Sequence, residues 1–225
     1  MAYIHAKRKR PSQGNASART TEVVFKWVSV KGIRLSAEEN RRVYEEYKQL
    51  RHNLLRDTVY NPDGTENVEG ISRLRQAGLS DKAIFETIAS GRTPNGYNYH
   101  HLFPRALSGS FKNGVAIGDE KLTTIHDWRC MQPLPNATRC DIHGNVHAAM
   151  DERNGELPGR PGTKVMYDIA MPLSAKEYEM YKQNPQSVKA ELLIVTPTSY
   201  KTVDQRDKGG NALALAAMKA KAATR

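Results

Sequence analysis

Apolar positions along the chain recur with two different periods, and the changes between them divide it into elements. Thr21 to Val30 (TEVVFKWVSV) is dense in β-branched and aromatic residues, the composition of a strand. Ser36-Ala37-Glu38-Glu39 is a capping box. Beyond it Val43, Tyr44, Tyr47, Leu50, Leu54 and Leu55 recur at three- and four-residue steps, which predicts a helix to about Arg56. Asn61-Pro62-Asp63-Gly64 is a turn. A second helix is expected from Val68 to Gln76, stopped at Gly78, and a third from a Ser80 cap to Ser90, closed by Gly91. The turn Pro94-Asn95-Gly96 leads into a short strand ending in His100-His101-Leu102-Phe103-Pro104, followed by a Gly/Ser-rich loop over Ser108 to Gly118. Trp128 to Leu134 reads as a second strand, and Asn136 as the N-cap of a helix from Ala137 to Asp151 that carries Gly144 inside it. After a Gly/Pro-rich linker over Gly155 to Gly162, Lys164 to Ala170 and Ala190 to Thr196 read as strands flanking a helix near Ser174 to Lys182.

This order predicts an α+β protein. Its parts are a basic tail at 1–20, a strand plus helical module at 21–92, a strand–strand–helix core at 93–155, a strand–helix–strand extension at 156–204, and a tail at 205–225. The first tail is too polar to offset the entropy of ordering, and the second, a polar break followed by an Ala/Lys-rich stretch, reads as a short helix or a tail. No internal repeat is visible.

Charge adds a partner class. The 225 residues carry 34 Lys plus Arg against 24 Asp plus Glu, a formal net charge of +10. That balance favours phosphate polyanions and a salt-dependent affinity, although solubility and two basic tails also account for it. Two cysteines, Cys130 and Cys140, make no disulfide framework. No N-terminal segment has the apolar core of a secretory signal, and no run approaches the roughly 18–20 apolar residues of a membrane span. A soluble protein acting in the cytoplasm is expected, with any export using no cleaved signal.

The chemistry concentrates in the histidines. Of the 7 in the chain, His100, His101, His126, His143 and His147 lie close together in sequence. Imidazole both binds metal and moves protons near neutral pH. His143 and His147 are four apart, so on a helix they project from one face and can share an ion. His100 can supply a third ligand from the strand, leaving positions open for a phosphate oxygen and water, and His101 is then free to act as general base. Neighbours on a regular strand point to opposite faces, so both histidines serve one site only if the strand end is twisted or irregular.

His100-His101-Leu102-Phe103-Pro104, then Pro133-Leu134-Pro135, then His143-x3-His147 resembles the HNH/ββα-metal endonucleases, in particular bacterial toxin nucleases such as the colicin DNases and the polymorphic-toxin HH nucleases. The resemblance spans about residues 95–152. It implies one divalent ion (Zn, Mg, Mn or Ni) held by His100, His143 and His147, with His101 as the base. It also implies non-specific hydrolysis of DNA, or of RNA, by an antibacterial toxin or effector. The partners of such a protein are an acidic immunity protein and a secretion apparatus.

Two departures from that pattern name further candidates. The family's central Asn on the second strand is missing, and Asp127, Gln132 or His126 are the residues that can take its place. The interval from Pro135 to the helix histidines is one turn longer, which brings Arg139, four residues before His143, forward as a contact to the scissile phosphate. Arg105 is a second phosphate candidate, or an ordinary surface arginine.

A different reading takes Cys130, Cys140, His143 and His147 as a structural zinc set, C-x9-C-x2-H-x3-H, in a non-catalytic nucleic-acid-binding or phage-type structural protein. Asp141 and Asp151 read as capping or solvated residues, and His5 and His52 as ordinary histidines.

Overall fold

The computed structural model describes residues 22–90, 93–108, 111, 115–117, 120–157 and 159–205. The basic tail at 1–20, the stretch beyond Gln205 and most of the Ser108–Gly118 loop lie outside the described residues.

Strand β1 (Val23–Ile33) is followed by three helices, α1 (Ala37–Val59), α2 (Val68–Gln76) and α3 (Asp81–Ser90). The α1 start is the expected capping box. The Glu39 amide donates to Ser36 Oγ at 3.2 Å, and the Ser36 amide to Glu39 Oε2 at 2.9 Å. Strand β2 (Tyr97–His101) leads through a short 3-10 turn at Arg105–Leu107 to a small hairpin, β3 (Val115–Ile117) and β4 (Glu120–Leu122). Then come β5 (Met131–Pro135), α4 (Ile142–Asn154), β6 (Lys164–Pro172), α5 (Ala175–Gln183), β7 (Glu191–Val195) and β8 (Tyr200–Asp204). The fold is mixed α+β with antiparallel sheets.

The main sheet has the order β6-β1-β7-β8. Strand β1 lies between strands from the far end of the chain, with Val30 opposite Tyr167 and Val24 opposite Ile194. Everything from α1 to α4 is thus inserted between two hydrogen-bonded strands. Phe25, Ile169, Ala170, Leu193 and Val195 of this sheet share one buried cluster with Leu102, Phe103, Leu134, Ile142, Val146 and Met150. A second cluster joins Leu55, Val59, Ile71, Leu74 and Ile84 of the helical module to Tyr97. Burying these side chains contributes about 1.5–3 kcal/mol each relative to exposure, which fixes the helices against the sheet. Among the described residues, no helix is long and apolar enough to cross a membrane.

Three expectations shift. Residues Trp128–Cys130 form a 3-10 turn, so β5 begins only at Met131. Strand β8, polar and half exposed, adds an edge where a tail was expected to begin soon after. Helix α4 starts at Ile142 under an Asp141 cap. Asn136 instead closes a turn, its Oδ1 accepting from the Thr138 amide at 3.0 Å and from Thr138 Oγ1 at 2.7 Å.

Candidate metal centre

Strands β2 and β5 pair antiparallel from Tyr97 opposite Pro135 to His101 opposite Met131, and α4 packs on β5. Ile142, Val146 and Ala149 recur at helical spacing and turn one face of α4 into the core. That register fixes the rest. His143 and His147, each one position on, turn toward β2. Asn145 Nδ2 donates to the Thr196 carbonyl at 2.8 Å, and Asn154 exchanges hydrogen bonds with the Asp168 backbone at 2.7 and 2.9 Å. Both ends of α4 are therefore anchored to the main sheet.

His100, His143 and His147 converge, with one nitrogen from each within 4.8 Å of the others. His100 Nδ1 stands 3.3 Å from His147 Nε2. Two imidazole nitrogens bound tetrahedrally to one ion at ≈ 2.0–2.1 Å lie about 3.3–3.4 Å apart, so the spacing fits a shared divalent ion. The donor chemistry fits too. His100 is fully buried, and burial with His147, His143 and His101 nearby pushes its pKa well below the ordinary 6.5. Burial first, and then His147, bring His143 down to about 4. Both are neutral at physiological pH, with lone pairs available to a metal. The other ring nitrogen, buried His100 Nε2, has no hydrogen-bond partner among the described residues. These three histidines can hold a metal ion, and they are the only such group among the described residues.

His101 does reach the same site despite its place next to His100. It lines an open cleft of about 400 Å³ together with His143, His147, Arg105, Tyr44, Tyr47, Tyr99 and Asp151. Its ring meets Tyr47 edge-on at 5.1 Å and His126 at 5.8 Å. Burial, then His126 and Arg105, lower its pKa to about 3, so it is unprotonated at neutral pH. Arg105 projects from the 3-10 turn beyond β2, with its guanidinium 4.7 Å from the Tyr44 ring centroid.

Of the three stand-ins for a central Asn, only His126 touches His101. It is buried, stacks on Tyr47 at 6.0 Å and lies 3.9 Å from the Glu46 carboxylate. Asp127 is taken up by Arg129, which donates to it from Nε and Nη2 at 2.7 Å each. Gln132 is fully buried opposite His100 in the strand register, and its Nε2 donates to the Arg73 carbonyl at 3.2 Å. Arg139 lies in the turn before α4, its guanidinium 5.1 Å from the Tyr97 ring centroid, outside the residues lining the histidine cleft.

The alternative zinc set does not assemble, since neither cysteine joins the histidine group. Cys130 is fully buried, and burial raises its thiol to about 12, the reverse of what a thiolate ligand needs. Asp141 is a cap as expected, its Oδ1 accepting from the Gly144 amide at 3.3 Å. Asp151, one turn beyond His147, and the tyrosines of α1 are additions that the sequence did not single out as site residues.

A comparison with protein-family models, with curated proteins and with solved structures finds nothing that matches this chain.

Proposed function

We propose that the protein is a metal-dependent endonuclease of the HNH, or ββα-metal, type. The observation that carries this is the convergence of His100, His143 and His147 from a strand and a helix beneath a cleft that also holds His101 and Arg105. The strand pair β2–β5 followed by α4 supports the ββα reading. The net charge of +10 supports a polyanionic substrate.

His100, His143 and His147 would hold the ion, which when bound supplies Lewis-acid stabilisation of charge on a phosphate oxygen. An all-imidazole set suits zinc or nickel better than magnesium or manganese, which favour oxygen ligands. His101 accepts a proton from the attacking water. Arg105 pairs with a non-bridging phosphate oxygen. Burial is the main cause of the low His101 pKa, and a phosphate held by Arg105 relieves only that residue's smaller repulsion. Tyr47 and His126 pack the ring of His101 in place.

Contacts to phosphate carry no base information, so cleavage of DNA is non-specific. A toxin or effector role, countered by an acidic immunity protein, is the biological setting in which a basic non-specific nuclease fits. The test is incubation of plasmid DNA and heat-denatured plasmid with the protein and Zn, Ni, Mn or Mg, with and without EDTA. Metal-dependent cutting that His101→Ala removes supports the reading. Intact DNA with every metal overturns it.

A further inference from the structure

The centre is recessed. His100 is fully buried, and the approach to it runs between Tyr44 and Tyr47 of α1 on one side and Pro104–Ala106 on the other. A second hollow of about 620 Å³ adjoins the first and shares Tyr44, Tyr47, Tyr99 and His143 with it. Its remaining lining includes Arg51, His52 and Asn98. The two hollows form one groove along α1, with His143 at the join.

Tyr44, Tyr47 and Tyr99 line that groove together with Arg105 and Arg51. Tyr44 is 42% exposed, high for a large ring on a helix, and both Arg105 and Lys48 lie over it, at 4.7 and 5.1 Å from the centroid. Lys48 is itself exposed and ion-paired to Glu45, so it can yield its place to another flat partner. The Tyr99 hydroxyl is buried at the groove with no hydrogen-bond partner. Tyrosine faces with interleaved cations are what an unpaired nucleotide strand requires, bases on the rings and phosphates on the cations. A duplex presents its phosphates on a broad cylinder and keeps its base faces stacked on one another. With its base faces stacked on one another it cannot use the rings.

We propose that this groove is a binding site for single-stranded nucleic acid, with the second hollow holding the nucleotides next to the phosphate at the histidine centre. Tyr44 is the stacking platform and Arg51 the phosphate contact. The proposal rests on the nuclease reading for its orientation, but the binding itself needs no chemistry.

The test is fluorescence anisotropy in EDTA, where nothing is cut, using one short labelled sequence as single-stranded DNA, single-stranded RNA and blunt DNA duplex. The single strands are expected to bind about tenfold or more tighter than the duplex. Tyr44→Ala is expected to weaken single-strand binding about tenfold, with Tyr44→Phe restoring most of it, and Arg51→Ala to weaken it severalfold. The DNA and RNA arms show which backbone is preferred. Duplex binding as tight as single-strand binding, or Tyr44→Ala and Arg51→Ala both without effect, overturns the site. Cleavage assays report separately: selective single-strand binding with no cutting under any metal would sink the nuclease reading alone. Cutting without strand preference, together with equal binding, would sink the groove alone.

Discussion

His100 Nδ1 and His147 Nε2 lie 3.3 Å apart although they come from a strand and a helix 47 residues distant in sequence. At that separation one imidazole N–H can donate to the other ring, or, with both facing nitrogens unprotonated, the pair can accommodate a divalent ion between them. The assignment of ligands and base separates experimentally. His143→Ala and His147→Ala should each lower zinc affinity by at least about tenfold by calorimetry. His101→Ala should keep its zinc and lose about 10²–10⁴-fold in cleavage rate. Unchanged zinc affinity in both ligand variants would refute the centre.

The cysteines should behave as bystanders. Cys130 is fully buried with its thiol raised to about 12, so iodoacetamide at pH 8 should leave it unmodified in the folded protein. Cys130→Ser with Cys140→Ser should retain full zinc stoichiometry. Loss of the metal in that double variant would revive the structural zinc set.

Gly70 marks the tightest junction in the helical module. A Cβ there would stand 1.7 Å from the backbone oxygen of Thr58, at the end of α1. Gly70→Ala therefore forces α1 and α2 apart. It should lower stability by about 1–3 kcal/mol in urea titrations, against the gain of about 1 kcal/mol that alanine brings to an unconstrained helix. A stabilised variant would show that the junction gives way freely.

Acid stability should follow Glu177. Lys26 Nζ contacts both of its carboxylate oxygens, at 2.7 and 2.8 Å, and the Ser174 amide donates to it at 2.8 Å. Burial alone would raise its pKa, but these hydrogen bonds outweigh burial and hold it below the ordinary 4.5. Below 4.5 the unfolded chain takes up a proton that the folded chain refuses. The contribution is thus complete above that pH and is lost as pH falls through the lower folded value. Glu177→Gln should cost more stability at pH 7 than at pH 3; an equal cost at both would rule this contribution out.

Binding should weaken steeply with salt. For single strands the slope of log affinity against log salt is about −0.7 per phosphate contacted, so a groove engaging several phosphates predicts a slope of several units. A slope near zero would mean that the +10 charge serves solubility alone. Sequenced cleavage ends should show no sharp consensus.

How far the sequence spoke differs from element to element. The α1 capping box and the α2 span stood in the residues themselves, because the interactions that set them lie within a few positions. The start of α4 did not. Asn136 and Asp141 are both capping types, and packing of Ile142, Val146 and Ala149 on the core decides between them. Gly144, a defect in a generic helix, makes room for the cap, since a Cβ there would meet Asp141 Oδ1 at 2.7 Å. The three metal candidates were readable from their spacing. The tyrosine wall was not: Tyr44 and Tyr47 share the periodicity of Leu54 and Leu55, yet only the second half of α1 is buried. Periodicity names a face and leaves open what that face meets. Arg139 was advanced on helical register, but the helix begins three residues after it, and its guanidinium lies over Tyr97.

The position of β1 has a consequence for how the protein comes into being. Strand β1 waits for partners made much later, as the Lys26–Glu177 contact, 151 residues apart in sequence, illustrates. The sheet that anchors both ends of α4 therefore closes only after β6 and β7 have been synthesised. Until then His143 and His147 lack the hydrogen bonds that tie α4 to the main sheet. A growing chain carries every residue of the centre before the sheet that anchors its helix is complete.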